Sequence, residues 1–204
     1  MIKKFKIELF VFCVLTINIF VSSNFDEVVN RFLYNFIKHF DSFYLKDFFV
    51  QITTLGDSKW YFGICFVVLI SLYLIQKIFP NGFFLNNIAI FKNLNIFILV
   101  SLFFTGIITQ IIKHLIGRPR PNHSDGESSI NFLSFNSEFH SFPSGHASTI
   151  FLIILAVVVF FPKLKYFLFP FAAIIAFSRV VVGAHFVTDV IGGVVIAFVG
   201  LKLT

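Results

Sequence analysis

Apolar residues in this chain gather into long blocks separated by short polar breaks. Six blocks reach or approach the roughly 20 apolar residues that a helix needs to cross a bilayer: 5–22, 59–79, 94–112, 147–161, 164–180 and 187–203. Residues 24–58 follow a different rhythm. Phe25, Val28, Val29, Phe32, Leu33, Phe36 and Phe40 recur three and four apart between Asp26, Arg31, Lys38 and Asp41, the period of an amphipathic helix. Such a helix suits the interface plane of a bilayer, or packing over the bundle. The pattern predicts an all-α, polytopic membrane helical bundle of about six transmembrane helices plus an interfacial amphipathic helix. It forms one membrane-embedded domain over 1–204. Pro80-Asn-Gly and Phe161-Pro162 mark two of the connecting turns, and no internal repeat or low-complexity tract is present.

Composition removes the soluble alternatives. Of 204 residues, 57% are hydrophobic and 13% charged, with mean hydropathy +0.91, far from the balance of a water-soluble domain. The opening Met-Ile-Lys-Lys-Phe-Lys resembles a signal peptide, but Glu8 interrupts the apolar run and Val21-Ser-Ser-Asn is a poor cleavage site. The segment reads as an uncleaved first span. Cys13 and Cys65 both fall inside predicted spans and read as small apolar fillers. A net charge of +6 invites a nucleic-acid reading, yet no basic stripe is interleaved with stacking aromatics, and the 33 Phe lie mostly in lipid-like runs. Nucleic acid is therefore not an expected partner, and no obligate protein partner is evident.

Charge also orients the chain. Segments joined by short loops alternate sides, so the loops form two sets. Lys3, Lys4, Lys6, Lys77, Lys92, Lys163, Lys165 and Lys202 share one side with no carboxylate but Glu8 at its margin. The acidic loops share the other side with the remaining eight of the 16 basic residues. By the positive-inside rule, weighted to the short, purely basic loops, the first set is cytoplasmic. The expected location is a bacterial inner membrane, with the acidic loops on the periplasmic side.

That outer side carries three runs of chemistry-bearing residues. Lys113 and Arg120 flank the end of the third span and Arg179 closes the fifth, so three fixed cations can surround a phosphate. Arg supplies a planar fork and Lys a point charge. Taken singly, each also fits snorkelling to lipid headgroups. Arg118 points away from Arg120 if the Arg-Pro-Arg-Pro run is extended, and reads as a support or a headgroup contact. Pro143-Ser144-Gly145-His146 precedes an apolar helix starting near Ala147. Ser144 suits the N-cap, Gly145 permits close backbone approach, and the free N–H groups with the positive helix end favour an anion. His185 and Asp189 are four apart, which places both on one face of a helix. Asp189 can orient the imidazole and leave its other nitrogen to attack phosphorus. His146 is then placed to protonate the departing oxygen and to activate water. His114, His123, His140, His146 and His185 all lie on the outer side, but none makes a His-Glu-x-x-His or Cys-rich ligand pattern, and nearby cations oppose a metal ion. No metal and no cofactor is expected.

Lys-x6-Arg-Pro at Lys113, Arg120 and Pro121, Pro-Ser-Gly-His at 143–146, and Ser-Arg-x5-His-x3-Asp at Ser178, Arg179, His185 and Asp189 resemble, in order, the three-part signature of the type 2 phosphatidic acid phosphatase superfamily. The motif-bearing core covers about 94–204. The resemblance implies a metal-independent lipid phosphate phosphohydrolase with a six-helix core. It implies Lys113, Arg120, Arg179, Ser144 and Gly145 as phosphate ligands, His146 as acid, His185 as nucleophile through a phosphohistidine, and Asp189 as its orienting partner. Vanadium haloperoxidases share the signature, but their solubility does not fit this chain. The implied partners are the bilayer and a phosphorylated lipid. Lipid A phosphate or undecaprenyl diphosphate leads, with phosphatidylglycerophosphate and phosphatidic acid as alternatives. Transfer of the phosphate to another lipid, or non-catalytic lipid binding, are the competing readings. The loop 122–141, with His123, Asp125, Glu127, Glu138 and His140, is expected to shape headgroup choice. Gly192, Gly193 and Ala197 allow close helix packing within or between subunits.

Overall fold

The computed structural model describes residues 23–39, 43–79, 85–123 and 130–204. Among these the secondary structure is helical, with no strand, in seven α-helices: α1 Ser23–His39, α2 Phe43–Thr54, α3 Ser58–Ile78, α4 Leu85–Ile116, α5 Gly145–Phe160, α6 Lys165–Val181 and α7 Val187–Leu203. Five of the six predicted spans coincide with α3 to α7. The span predicted at 5–22, with Cys13, lies outside the described residues, as does the turn at Pro80.

Among the described residues, α3, the stretch Asn87–Ile116 of α4 and the stretch Pro162–Val181 are long and apolar enough to cross a membrane by length and composition. At 1.5 Å per residue, the 16 residues of α5 and 17 of α7 rise about 24 and 26 Å. Both are shorter than their neighbours, because each starts only after a polar loop has delivered its motif. The predicted interfacial helix is divided into α1 and α2. Its apolar stripe faces away from the bundle: Phe25, Val28, Phe32 and Phe36 are exposed, whereas Asp26 is buried. Those exposed rings fit an interfacial helix, while Val29 and Leu33 of the same stripe are half-buried.

α5 lies at the centre, packed against α4, α6 and α7, while α4 also touches α3 and α7. Its core side chains mesh in two clusters, Leu94, Ile98 and Leu102 of α4 with Leu152, Leu155 and Ala197, and Ile150 and Ile154 with Ala172 and Ile175. Small residues set the spacing between α5 and α7. A Cβ at Gly193 would stand 2.5 Å from the Ser144 carbonyl oxygen, so only glycine lets the two helices meet at the motif. Packing by Gly192, Gly193 and Ala197 is thus used within the chain. On α3, by contrast, Trp60, Ile64, Val67 and Ile70 point outward, as expected of a surface in contact with acyl chains rather than water.

Chain direction alternates through α3 to α7. The starts of α3, α5 and α7 and the ends of α4 and α6 therefore gather at one end of the bundle, opposite exposed Lys77, Lys163, Lys165 and Lys202.

Candidate active site

At that end a cleft of ≈ 610 Å³ opens, lined by Lys113, Arg120, Gly145, His146, Arg179 and His185. It continues down α3 and α4 past Phe62, Leu102, Phe103, Gly106 and Ile107. A polar head and an apolar throat thus belong to one cavity, of the size that small-molecule sites occupy.

Local structure delivers each polar group. α4 ends at Gly117, whose φ of +59° turns the chain and whose N–H closes on the Lys113 carbonyl at 3.0 Å. Lys113, one turn earlier, is 7% exposed and donates from Nζ to the His140 carbonyl at 2.6 Å. The run 118–120 pairs with 137–141: Arg120 N donates to the Glu138 carbonyl at 2.9 Å and Ser141 N to the Arg118 carbonyl at 3.0 Å. Arg120 Nε donates to the Ser137 carbonyl at 3.1 Å. The loop expected to shape headgroup choice thus also holds Arg120, through its segment 130–141. Asp125 and Glu127 lie outside the described residues.

Arg179, in the last turn of α6, donates from Nη1 to Thr53 Oγ1 at 2.9 Å. Its Nε is buried without a hydrogen-bond partner, a donor not satisfied within the protein. Gly183, at φ +71°, redirects the chain after α6 and brings His185 back beneath Arg179, whose carbonyl accepts from His185 N at 3.2 Å.

Ser144 is the N-cap of α5, its hydroxyl accepting from Ala147 N at 3.4 Å. Its own N–H donates to the Asp189 carbonyl at 2.9 Å, so Ser144 is fully buried and spent on structure, while Gly145 and His146 reach the cleft. His146 lies in the first turn of α5, whose start is two residues earlier than expected from the apolar run. Gly56 backs its ring: a Cβ there would come within 2.9 Å of His146 Cβ.

His185 stands before the helix rather than on it, because Phe186 is the N-cap of α7. The four-residue spacing still brings it to Asp189, with Nδ1 3.7 Å from Oδ2. That is an electrostatic approach short of a hydrogen bond, and Nδ1 has no other partner. His185 is 2% exposed. Burial, helped by the Lys113 and Arg179 cations and opposed by Asp189, pulls its imidazole from 6.5 down to about 4. The ring is therefore neutral at physiological pH and can act as a nucleophile.

Asp189, fully buried, accepts from Arg118 Nη1 at 2.7 Å on one oxygen, and from Ser141 Oγ at 2.5 Å and Phe186 N at 2.8 Å on the other. Arg118 reaches on to Asp26 at 2.8 Å. It is only 8% exposed and its guanidinium is held between two carboxylates, as expected of a support.

The cleft thus gathers Lys113, Arg120, Gly145, Arg179, His146 and His185, with Asp189 immediately behind. Sequence reasoning missed Asp26, Thr53, Ser141 and Thr188. Only Asp26 carried a signal, an acidic residue between Phe25 and Glu27 near the start of an amphipathic helix. Three basic side chains around a neutral imidazole, with a second imidazole in the same cleft, can bind a phosphate, take it up on nitrogen and pass a proton to a leaving oxygen. His114 and His140 stack at 4.4 Å between ring centroids, and no group of three or more metal-ligating side chains occurs among the described residues.

Residues 94–204 match the family model described as PAP2 superfamily. Lipid A 1-phosphatase of Rhizobium etli is 28% identical over 151 residues, 73% of this chain and 65% of that protein. Lipid A 1-phosphatase of Rhizobium johnstonii is 34% identical over 99 residues, 48% and 41% of the two chains. The chain therefore spans less than two thirds of the length of these curated relatives. Its fold is similar to the transmembrane PAP2 type phosphatidylglycerolphosphate phosphatase of Bacillus subtilis, with TM-score 0.66 and 21% identity over 96% of this chain and 91% of that one. It is also similar to Aquifex aeolicus LpxE, with TM-score 0.57 and 22% identity over 86% and 93%.

Proposed function

Since this chain belongs to the PAP2 superfamily, we propose that it is a metal-independent lipid phosphate phosphohydrolase, one membrane domain over 1–204 that works through a phosphohistidine. The observation that carries the reading is the single cleft lined by Lys113, Arg120, Arg179, His146 and His185 and continuous with an apolar throat along α4. The headgroup phosphate sits among the three cations and the N-terminal end of α5, with the acyl or prenyl part in the throat.

The neutral imidazole of His185 attacks phosphorus through Nε2, and the bond from phosphorus to the lipid oxygen breaks. His146, having taken the proton of the phosphate that binds as its monoanion, donates it to that oxygen, which leaves as the alcohol, or as the lipid phosphate when the substrate is a diphosphate. A water then attacks the phosphorylated imidazole and His146 takes its proton. The nitrogen–phosphorus bond breaks, inorganic phosphate departs, and both histidines return to their starting states. Lys113, Arg120 and Arg179 offset the charge that gathers on the phosphoryl oxygens, the part of such reactions that proteins serve most. Asp189 stabilises the positive charge that His185 acquires.

The names of the two rhizobial relatives favour a lipid A phosphate as substrate, ahead of undecaprenyl diphosphate, phosphatidylglycerophosphate or phosphatidic acid. The exposed lysines at the far end of the bundle support a cytoplasmic far end, and hence a site on the periplasmic side of a bacterial inner membrane. Purified protein, given a panel of these four lipids with EDTA present, is expected to release phosphate from at least one and to stop when His185 is changed to Ala. Release that persists in His185→Ala rejects the nucleophile. Label from the lipid phosphate appearing in a second lipid rather than as free phosphate makes the protein a transferase.

A further inference from the structure

A chain of buried charge runs behind the site, away from the substrate cleft. Asp26, in the first turn of α1, is 1% exposed and Arg118 8%. Arg118 Nη2 meets Asp26 Oδ2 at 2.8 Å, and its Nη1 meets Asp189 Oδ1 at 2.7 Å. The guanidinium carbon lies 4.2 Å from the centre of the Phe186 ring, which fixes its plane. We propose that Arg118 and Asp26 are positioning residues: together they hold Asp189, and through it the imidazole of His185, while α1 caps the helix that carries Asp189. The proposal rests on the reading of His185 as nucleophile.

Geometry assigns the roles. The N-cap of α7, Phe186, has no side-chain acceptor to offer, so the buried donors of that first turn need one from elsewhere. Asp26 supplies it from a different helix: Oδ1 accepts from Thr188 N at 3.2 Å, and Oδ2 accepts from the Thr188 hydroxyl. That hydroxyl in turn accepts from Arg118 Nη1 at 2.8 Å. Both carboxylates are thereby fixed from opposite sides of one planar fork, which a lysine does not reproduce.

Charge counting gives the arrangement a purpose beyond packing. Two carboxylates share one guanidinium, leaving the cluster with one negative charge beside a ring that becomes positive when phosphorylated. A buried ion pair is weak evidence for stability in itself. Its cost is better explained where the residual charge serves the adjoining imidazole.

Opposite substitutions test this. His185 faces Asp189 on α7, Lys113 on α4, Arg179 on α6 and His146 on α5, none of which is altered. In Arg118→Gln, Asp189 loses its counter-ion, so the His185 titration midpoint rises. In Asp26→Asn, Arg118 is left wholly to Asp189, and the midpoint falls. With p-nitrophenyl phosphate as the probe, and full-length protein in detergent, kcat should drop about 100-fold in Arg118→Gln and about tenfold in Asp26→Asn, with KM within about threefold. The midpoints are read by NMR of ¹⁵N-labelled histidine, assigned with His185→Gln. Kinetics like the parent's, or midpoints that fail to move in opposite directions, overturn the proposal. Should either variant not fold, Thr188→Val keeps every charge and removes one hydroxyl from both contacts. A loss in kcat of about threefold or more then upholds the proposal, and parent-like kcat overturns it. If the parent itself releases no phosphate from any probe, the reading of the site falls, while the two NMR midpoints still decide whether the chain of charge governs His185.

Discussion

The two ends of the bundle use charged residues in opposite ways. At the far end Lys77, Lys163 and Lys165 are exposed, free to snorkel towards headgroups at little cost. At the site end Lys113, Arg118, Asp26, Asp189 and His185 are all buried, each held by named partners or aimed into the cleft. Burying an ion costs several kcal/mol unless it is paired, so composition alone does not distinguish the two ends, but burial does. The far-end lysines stay at the surface, whereas Lys113 and Arg118 at the site end are withdrawn from water.

This contrast can be broken at either end. The largest effect is expected at His185: replacing it with Ala removes the attacking nitrogen and should lower phosphate release by about 10⁴-fold or more, measured at fixed protein with the lipid that the parent uses best. Residual turnover within tenfold of the parent would mean that another group attacks. Next comes Arg179→Gln, which removes the cation whose Nε is unspent. A fall in kcat of about 10² to 10³ is expected, against less than tenfold if Arg179 only snorkels.

Protonation sharpens the comparison further. A ring lowered to about 4 by burial stays neutral until the pH falls through that value, so attack is lost only below it. By linkage, fold stability declines as pH drops from 6.5 towards 4, because the unfolded chain binds a proton there that the folded one resists. Histidine ¹⁵N shifts should place the His185 midpoint near 4, whereas 6.5 would indicate a solvated ring. The smallest effect is expected at the far end. Lys163→Gln with Lys165→Gln should leave kcat/KM within twofold and reduce only the orientation bias, scored by protease accessibility in vesicles.

Much of the fold was written in the apolar blocks, since 59–79, 147–161, 164–180 and 187–203 became α3, α5, α6 and α7 within a few residues, while 94–112 became the longer α4, which starts nine residues earlier at Leu85. The motif residues were also legible, because Lys113, Arg120, His146, Arg179 and His185 are bound to short patterns that each end or begin a helix. Two things could not be read. Local spacing placed His185 and Asp189 on one helix, but a phenylalanine N-cap puts the imidazole outside it. The pairing of Asp26 with Thr188 joins residues 162 apart in sequence, and no local pattern announces such a contact. An extended Arg-Pro-Arg-Pro run makes Arg118 a support or a headgroup contact, and its two carboxylate partners become visible only in three dimensions.

The most direct test of the central claim uses His146→Ala with p-nitrophenyl phosphate. Its leaving group departs without a proton, so the first step survives while the hydrolysis that needs His146 is slowed. The account predicts a burst of about one nitrophenolate per protein, with the phosphorus recovered on the peptide that contains His185. No burst, or phosphorus on any other residue, would contradict it.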